Sequence, residues 1–143
     1  MKIEPFKPEH LLAPGLLESQ PHVRAALQSP EYMAALAAHP AWTAFDGDRF
    51  VGAAGVITLW QGRVQAWAVL AGDIGQHQFI AVHRAVLRFL STQRGRIESV
   101  VAVGFEPGHR WMRMLGFQLE TPHPMRGWLP NGADALQYAR YSK

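Results

Sequence analysis

Few groups in this chain could move a proton in a reaction. The best placed is His109 in "GHRWMRMLGF", a stretch that reads as a helix closing on Gly116; it stands three residues before Met112 and shares its helical face. An imidazole that titrates near neutral pH suits general acid or base work, so His109 is the candidate catalytic residue. The competing reading, a surface histidine in a first helical turn, is the commoner one. Glu106 borders the same helix, where a carboxylate gains from the helix dipole, and Glu98 in "RIESVV" alternates with apolar positions. His83 lies mid-helix, while His22, His39 and His123 lie beside prolines in loops. His77 and His83 are six apart and do not share a helical face, no pair has metal-site spacing, and there is no cysteine, so no metal is expected. Ser91, Ser99 and Ser142 lack the glycine-flanked turn of a nucleophilic serine, which leaves hydrolase chemistry without support.

These residues need elements to hold them. "MKIEPF" reads as a first strand, and residues 8–28 read as two short helices broken by Pro14-Gly15 and Pro21. In "SPEYMAALAAHP", Ser29 caps, Pro30 suits the first helical position and Pro40 ends the run. Two β-rich runs flank Asp46-Gly47-Asp48, a hairpin signal, and "RVQAWAVLAG" follows a turn at Gln61-Gly62. From Gln76 to Gln93, Phe79, Val82, Val86, Leu87, Phe89 and Leu90 share one face and Arg84 and Arg88 take the other. "RIESVVAV" has the continuous apolar character of a strand buried on both faces, and the intervening helix implies parallel pairing with a neighbour. Glu106-Pro107 opens the last helix; a terminal hairpin follows, its first arm disrupted by "TPHP" and its turn at Pro130-Asn131-Gly132. This order predicts an α+β fold: a mixed, mostly antiparallel sheet flanked by helices, in one domain spanning 1–143.

Bulk composition agrees with one domain. At 143 residues and 48% apolar the chain can build a real core, and a net charge of +3 does not argue for specific nucleic-acid binding. No run approaches about 18 apolar residues and the N-terminus lacks a signal-peptide core, so no membrane association is expected.

The element order, with "MLGF" closing the last helix, resembles the GNAT acyltransferase fold across nearly the whole chain. More narrowly, "AWTAFDGDRFVGAAGV", "GRVQAWAVL", "HRAVLRFL" and "GHRWMRMLGF" resemble small GNAT-like proteins of tailed phages and prophages, some grouped with internal virion proteins of short-tailed phages. The resemblance implies acetyl-CoA as cofactor: the strand ending at Val69 and Leu70 would meet the pantetheine arm, and Gly75, Gln76 and His77 would hold the pyrophosphate on helix-terminal amides. The motifs depart from the family's. Of the phosphate loop "GDIGQHQF" only Gly75 fits; Gly72 and His77 replace preferred residues, and Asp73 would repel a phosphate, reading instead as part of an ordinary helix start. Met112 stands where many GNAT enzymes carry the tyrosine that protonates the departing thiolate, Phe105 and Gly108 stand for an asparagine and an alanine, and "RVQAWAVL" lacks the glutamate of many relatives. Read physically, Met112 and Phe117 are the contact pair of a helix stop at Gly116, with Trp111 and Leu115 toward the sheet and His109, Arg110 and Arg113 toward the helix start or solvent.

Two functions follow from the resemblance: a virion-associated structural or accessory protein with degenerate motifs, located in the host cytoplasm or incorporated in the virion, or an active acetyl-CoA-dependent N-acetyltransferase acting on an unknown amine. Five tryptophans exceed what one small core needs, and Arg126 with Trp128 in a proline-rich loop are the expected partner contacts, to other virion proteins or to a second copy of the chain.

Overall fold

The computed structural model describes residues 1–12 and 25–142. Its elements are β1 (Lys2–Pro5), a 3-10 turn (Pro8–Leu12), α1 (Pro30–Ala38), β2 (Ala41–Asp46), β3 (Arg49–Trp60), β4 (Arg63–Leu70), α2 (Gln76–Ser91), β5 (Gly95–Ala102), α3 (Glu106–Met114), β6 (Gln118–Leu119) and β7 (Ala135–Ser142). The strands form one seven-stranded sheet in the order β1-β2-β3-β4-β5-β7-β6, antiparallel except for the β4–β5 pair. The expected fold class is the observed one. Of the two short helices expected in residues 8–28, the first is the 3-10 turn; the second lies mostly outside the described residues, with only residues 25–27 seen as helix.

Each sheet face builds its own core. On one, α2 and α3 press Val82, Val86, Leu90, Trp111 and Leu115 onto Val56, Val64, Ile97 and Tyr138. On the other, Phe6, Leu11, Met33 and Leu36 cover Phe50, Ala53 and Val69. Capping explains where α1 begins, because the Ser29 hydroxyl accepts the Tyr32 N–H at 3.2 Å and Pro30 opens the helix. The proline-rich segment after α3 costs β6 its length: only two residues pair before the chain leaves the sheet, rejoining it at a single Met125–Ala135 bridge.

The β4–β5 pair shapes the rest. Its parallel register covers Arg63↔Arg96, Val64↔Ile97 and Gln65↔Glu98, and then ceases although both strands run on. At the next position the Ser99 hydroxyl takes the ladder's place, donating to the Ala66 carbonyl at 3.0 Å. Below it, the β3–β4 turn abuts the start of β5. Gly95 has φ +88°, an added Cβ would lie 2.5 Å from the Gly62 carbonyl oxygen, and Arg96 N–H donates to that oxygen at 2.8 Å. The sheet is thus closed at one end and parted at the other.

A cleft between parted strands as the candidate site

Where β4 and β5 part, a cleft of about 520 Å³ opens, with Gln65, Trp67 and Val69 of β4 and Val100 and Ala102 of β5 among its lining residues. Backbone groups alternate along a strand, so the direction that aims the Ala66 carbonyl at β5 also aims the Ala68 peptide there, where β5 offers no ladder partner. Val69 is turned the other way, toward Ala53 of β3, with its side chain buried. Leu70 shares the orientation of Ala68, so of the two strand residues expected to meet a ligand, Leu70 faces the gap and Val69 faces β3.

The closed end is held by charge. Glu98, buried on β5, accepts two bonds from the Arg63 guanidinium, at 3.0 and 2.9 Å, and one from Arg96 at 2.6 Å; Arg96 in turn grips Glu120. Burial opposes ionisation of Glu98, but the guanidinium hydrogen bonds outweigh it and hold its carboxyl below the ordinary range. Arg63 also lies over the Trp60 ring, 4.6 Å from its centroid. Glu98 therefore clamps the vertex and is unavailable as a base.

His109 is not where its helix position suggested. It is 5% exposed, its Nδ1 lies 2.8 Å from the Tyr138 hydroxyl, and its Nε2 lies 2.9 Å from the carbonyls of both Ala102 and Val103. Carbonyls only accept, so Nε2 carries the proton and Nδ1 accepts from tyrosine. With both nitrogens engaged and the ring outside the cleft lining, His109 ties α3 to β5 and β7. Its spacing with Met112 was the available signal, since Met112 is buried too. Arg110 and Arg113 are exposed as expected, and Trp111 and Leu115 are buried, with Trp111 Nε1 donating to His83 Nδ1 at 3.1 Å.

No acid or base stands in for it. Among the described residues lining the cleft there is no carboxylate and no imidazole; the polar side chains are Tyr32, Gln65, Trp67, Ser99, Arg110 and Trp111. Burial raises the Tyr32 phenol, which makes it a weaker acid. Trp67 Nε1 is buried and finds no acceptor among the described residues.

At the start of α2, Gly75 is the N-cap and its N–H donates to the Gln78 side chain at 2.9 Å; Gln78 in turn donates to Asp46 at 2.8 Å. Asp73 does not cap the helix but pairs with Arg49. Gln76 and His77 are exposed in the first turn. Of the amides expected to meet a pyrophosphate, that of Gly75 is already bonded, and the carboxylates of Asp46 and Asp73 stand beside the helix start. These residues fit the nucleotide end of a coenzyme poorly, whereas the strand gap fits its uncharged arm. No group of His, Asp or Glu suited to hold a metal occurs among the described residues.

Arg126 and Trp128 lie exposed on the loop before β7, Trp128 at 52%, while the adjoining Leu129 and Pro130 line the cleft. Trp60, 59% exposed, is the other tryptophan on the surface.

No protein-family model matches the sequence, and no curated protein matches it. Solved structures do. Ard1 from Thermoplasma volcanium superposes with a TM-score of 0.76 at 11% identity, over 99% of this chain and 97% of that one. Ribosomal-protein-S5-alanine acetyltransferase from Vibrio fischeri gives 0.67 at 15% identity, over 99% and 92%. An acetyltransferase of the GNAT family from Bacillus anthracis gives 0.64 at 14% identity, over 97% and 93%. At these identities the likeness is one of architecture, and the chain has the GNAT fold.

Proposed function

We propose that this chain is an acetyltransferase-like protein that keeps the GNAT scaffold and its strand gap but serves as a virion-associated structural or accessory component of a phage or prophage. The observation that carries the reading is the absence of proton-handling groups where the chemistry would occur. Met112, whose thioether cannot donate a proton, is 8% exposed, and the described cleft lining holds no carboxylate or imidazole. The likeness of four stretches to small phage proteins supports the setting, and exposed Arg126 and Trp128 supply the partner contact, to another virion protein or to a second copy. No helix among the described residues is long and apolar enough to cross a membrane.

One observation favours the alternative of an active N-acetyltransferase. The β4–β5 gap is open, and an amine already neutral needs only a positioned thioester to attack. The test is thiol release from acetyl-CoA across a panel of primary amines, run beside co-purification with phage particles. The accessory reading expects particle association and no thiol release above the buffer rate; enzyme-dependent release with a defined acetylated product overturns it.

A further inference from the structure

We propose that the outward face of α2 and α3 binds duplex nucleic acid by its phosphate backbone, without regard to base sequence. This goes beyond the accessory reading and stands whether or not the cleft holds a ligand.

The face begins with spacing. His77, Arg84 and Arg88 follow one another at seven and four residues, so they form one exposed stripe on α2, opposite the buried Val82, Val86 and Leu90. On α3, Arg110 and Arg113 are exposed while Trp111, Met112 and Leu115 are buried against the sheet. The two helices lie side by side, because Trp111 Nε1 donates to His83 Nδ1 at 3.1 Å and the Trp111 and Phe79 ring centroids are 5.8 Å apart. Their arginines therefore share one surface.

That surface carries uncompensated positive charge. α2 contains no carboxylate and α3 only Glu106, and among the described residues none of the four arginines has an ion-pair partner. The helix dipole accounts for Arg88 and Arg113, which stand in last turns, but not for Arg84 in mid-helix or for Arg110. Like charges one turn apart repel, so folding alone gives no reason for the Arg84–Arg88 pair. The whole-chain charge of +3 conceals the face, since acids gather elsewhere: Asp46, Asp48 and Asp73 at or beside the β2–β3 turn, Glu98 and Glu120 in the clamp.

What the face lacks selects its partner. Its large exposed apolar side chains are Ile80 and Met114, one on each helix, and no phenylalanine, tyrosine or tryptophan of either helix is exposed. A folded protein partner takes aromatic or apolar anchors, a lipid surface takes an apolar rim, and a single strand takes stacking rings. A duplex needs none of these: it offers about one phosphate charge per 1.7 Å of axis, and neutralising those charges releases counterions. Apart from His77, the cations of the face are all arginine, whose planar fork matches a phosphate.

Fluorescence anisotropy of a labelled, mixed-sequence duplex of about 20 base pairs, titrated with the full chain at several salt concentrations, tests this. With four phosphates neutralised, log affinity is expected to fall against log salt with a slope of about −3.6, a loss of about 100-fold between about 50 and 200 mM. Arg84→Gln and Arg110→Gln should each reduce that slope by about one. Lys7→Gln, an equal charge change at an exposed residue beside the opposite core, should leave it unchanged. Scrambling the duplex should alter affinity by less than about threefold. The proposal is overturned by no binding at about 50 mM salt with about 100 μM protein, or by arginine variants that keep the wild-type slope. Capture by phosphatidylserine vesicles or polyglutamate where the duplex does not bind overturns it in favour of a lipid surface or an acidic chain. Displacement of the duplex by equimolar coenzyme A overturns it in favour of a nucleotide pocket.

Discussion

The Phe117 N–H donates to the Met112 carbonyl across 2.9 Å, and both side chains lie in the core cluster beneath α2 and α3. With Gly116 at φ +84° and its N–H on the Arg113 carbonyl at 3.1 Å, this is the Schellman ending in full. Methionine at this position packs. Met112→Ala is therefore expected to cost about 2 to 3 kcal/mol in denaturant unfolding, from lost burial and the cavity left behind. A variant as stable as wild type would show that Met112 is not a packing residue.

His109 ought to behave as a structural residue. Replacing it by phenylalanine leaves the Tyr138 hydroxyl and the carbonyls of Ala102 and Val103 without their partner, at an expected cost of about 2 to 4 kcal/mol. Chemical denaturation of wild type and variant decides it, since a surface or purely catalytic histidine would leave the midpoint where it was.

The Glu98 clamp should show in the pH dependence of stability. Its folded-state carboxyl is held below the ordinary glutamate value of 4.5, so its contribution is fully present above that pH and is lost as pH falls through the depressed folded value. Glu98→Gln should cost about 2 kcal/mol at neutral pH, and the gap to wild type should narrow on acidification below about pH 4.5. Stability curves that stay parallel down to about pH 3 would remove Glu98 from the vertex clamp.

Local rules made the elements legible, and distance along the chain hid the site. Ser29-Pro30, the Gly47 and Gly62 turns, the six-residue apolar face of α2 and the Gly116 stop each act within a few residues, and each appears where the sequence put it. The burial of His109 was half legible: sharing a face with Met112 pointed inward, but its partner Tyr138 lies 29 residues away on another strand. Likewise Asp73 read as a helix cap because its partner, Arg49, comes from a hairpin 24 residues earlier. The parting of β4 from β5 has no sequence signature here. It depends on where the parallel register ends, which Ser99 and the Glu98 clamp fix through contacts across strands.

Trp128 is 52% exposed, so folding back into the core is not its role. Trp128→Ala should leave the unfolding midpoint within about 0.5 kcal/mol of wild type. If Trp128 anchors a partner, the same change weakens particle association by about 2 kcal/mol or more. Undiminished co-purification of the variant with particles would rule out docking through this loop.

Calorimetric titration of acetyl-CoA into the wild-type protein reads whether the start of α2 anchors the coenzyme's nucleotide. Gly75 gives its N–H to Gln78, and Asp46 and Asp73 stand beside it, so the expected dissociation constant is weaker than about 100 μM, near −5.5 kcal/mol. A value of about 1 μM, near −8 kcal/mol, would show a working nucleotide anchor and overturn the structural reading.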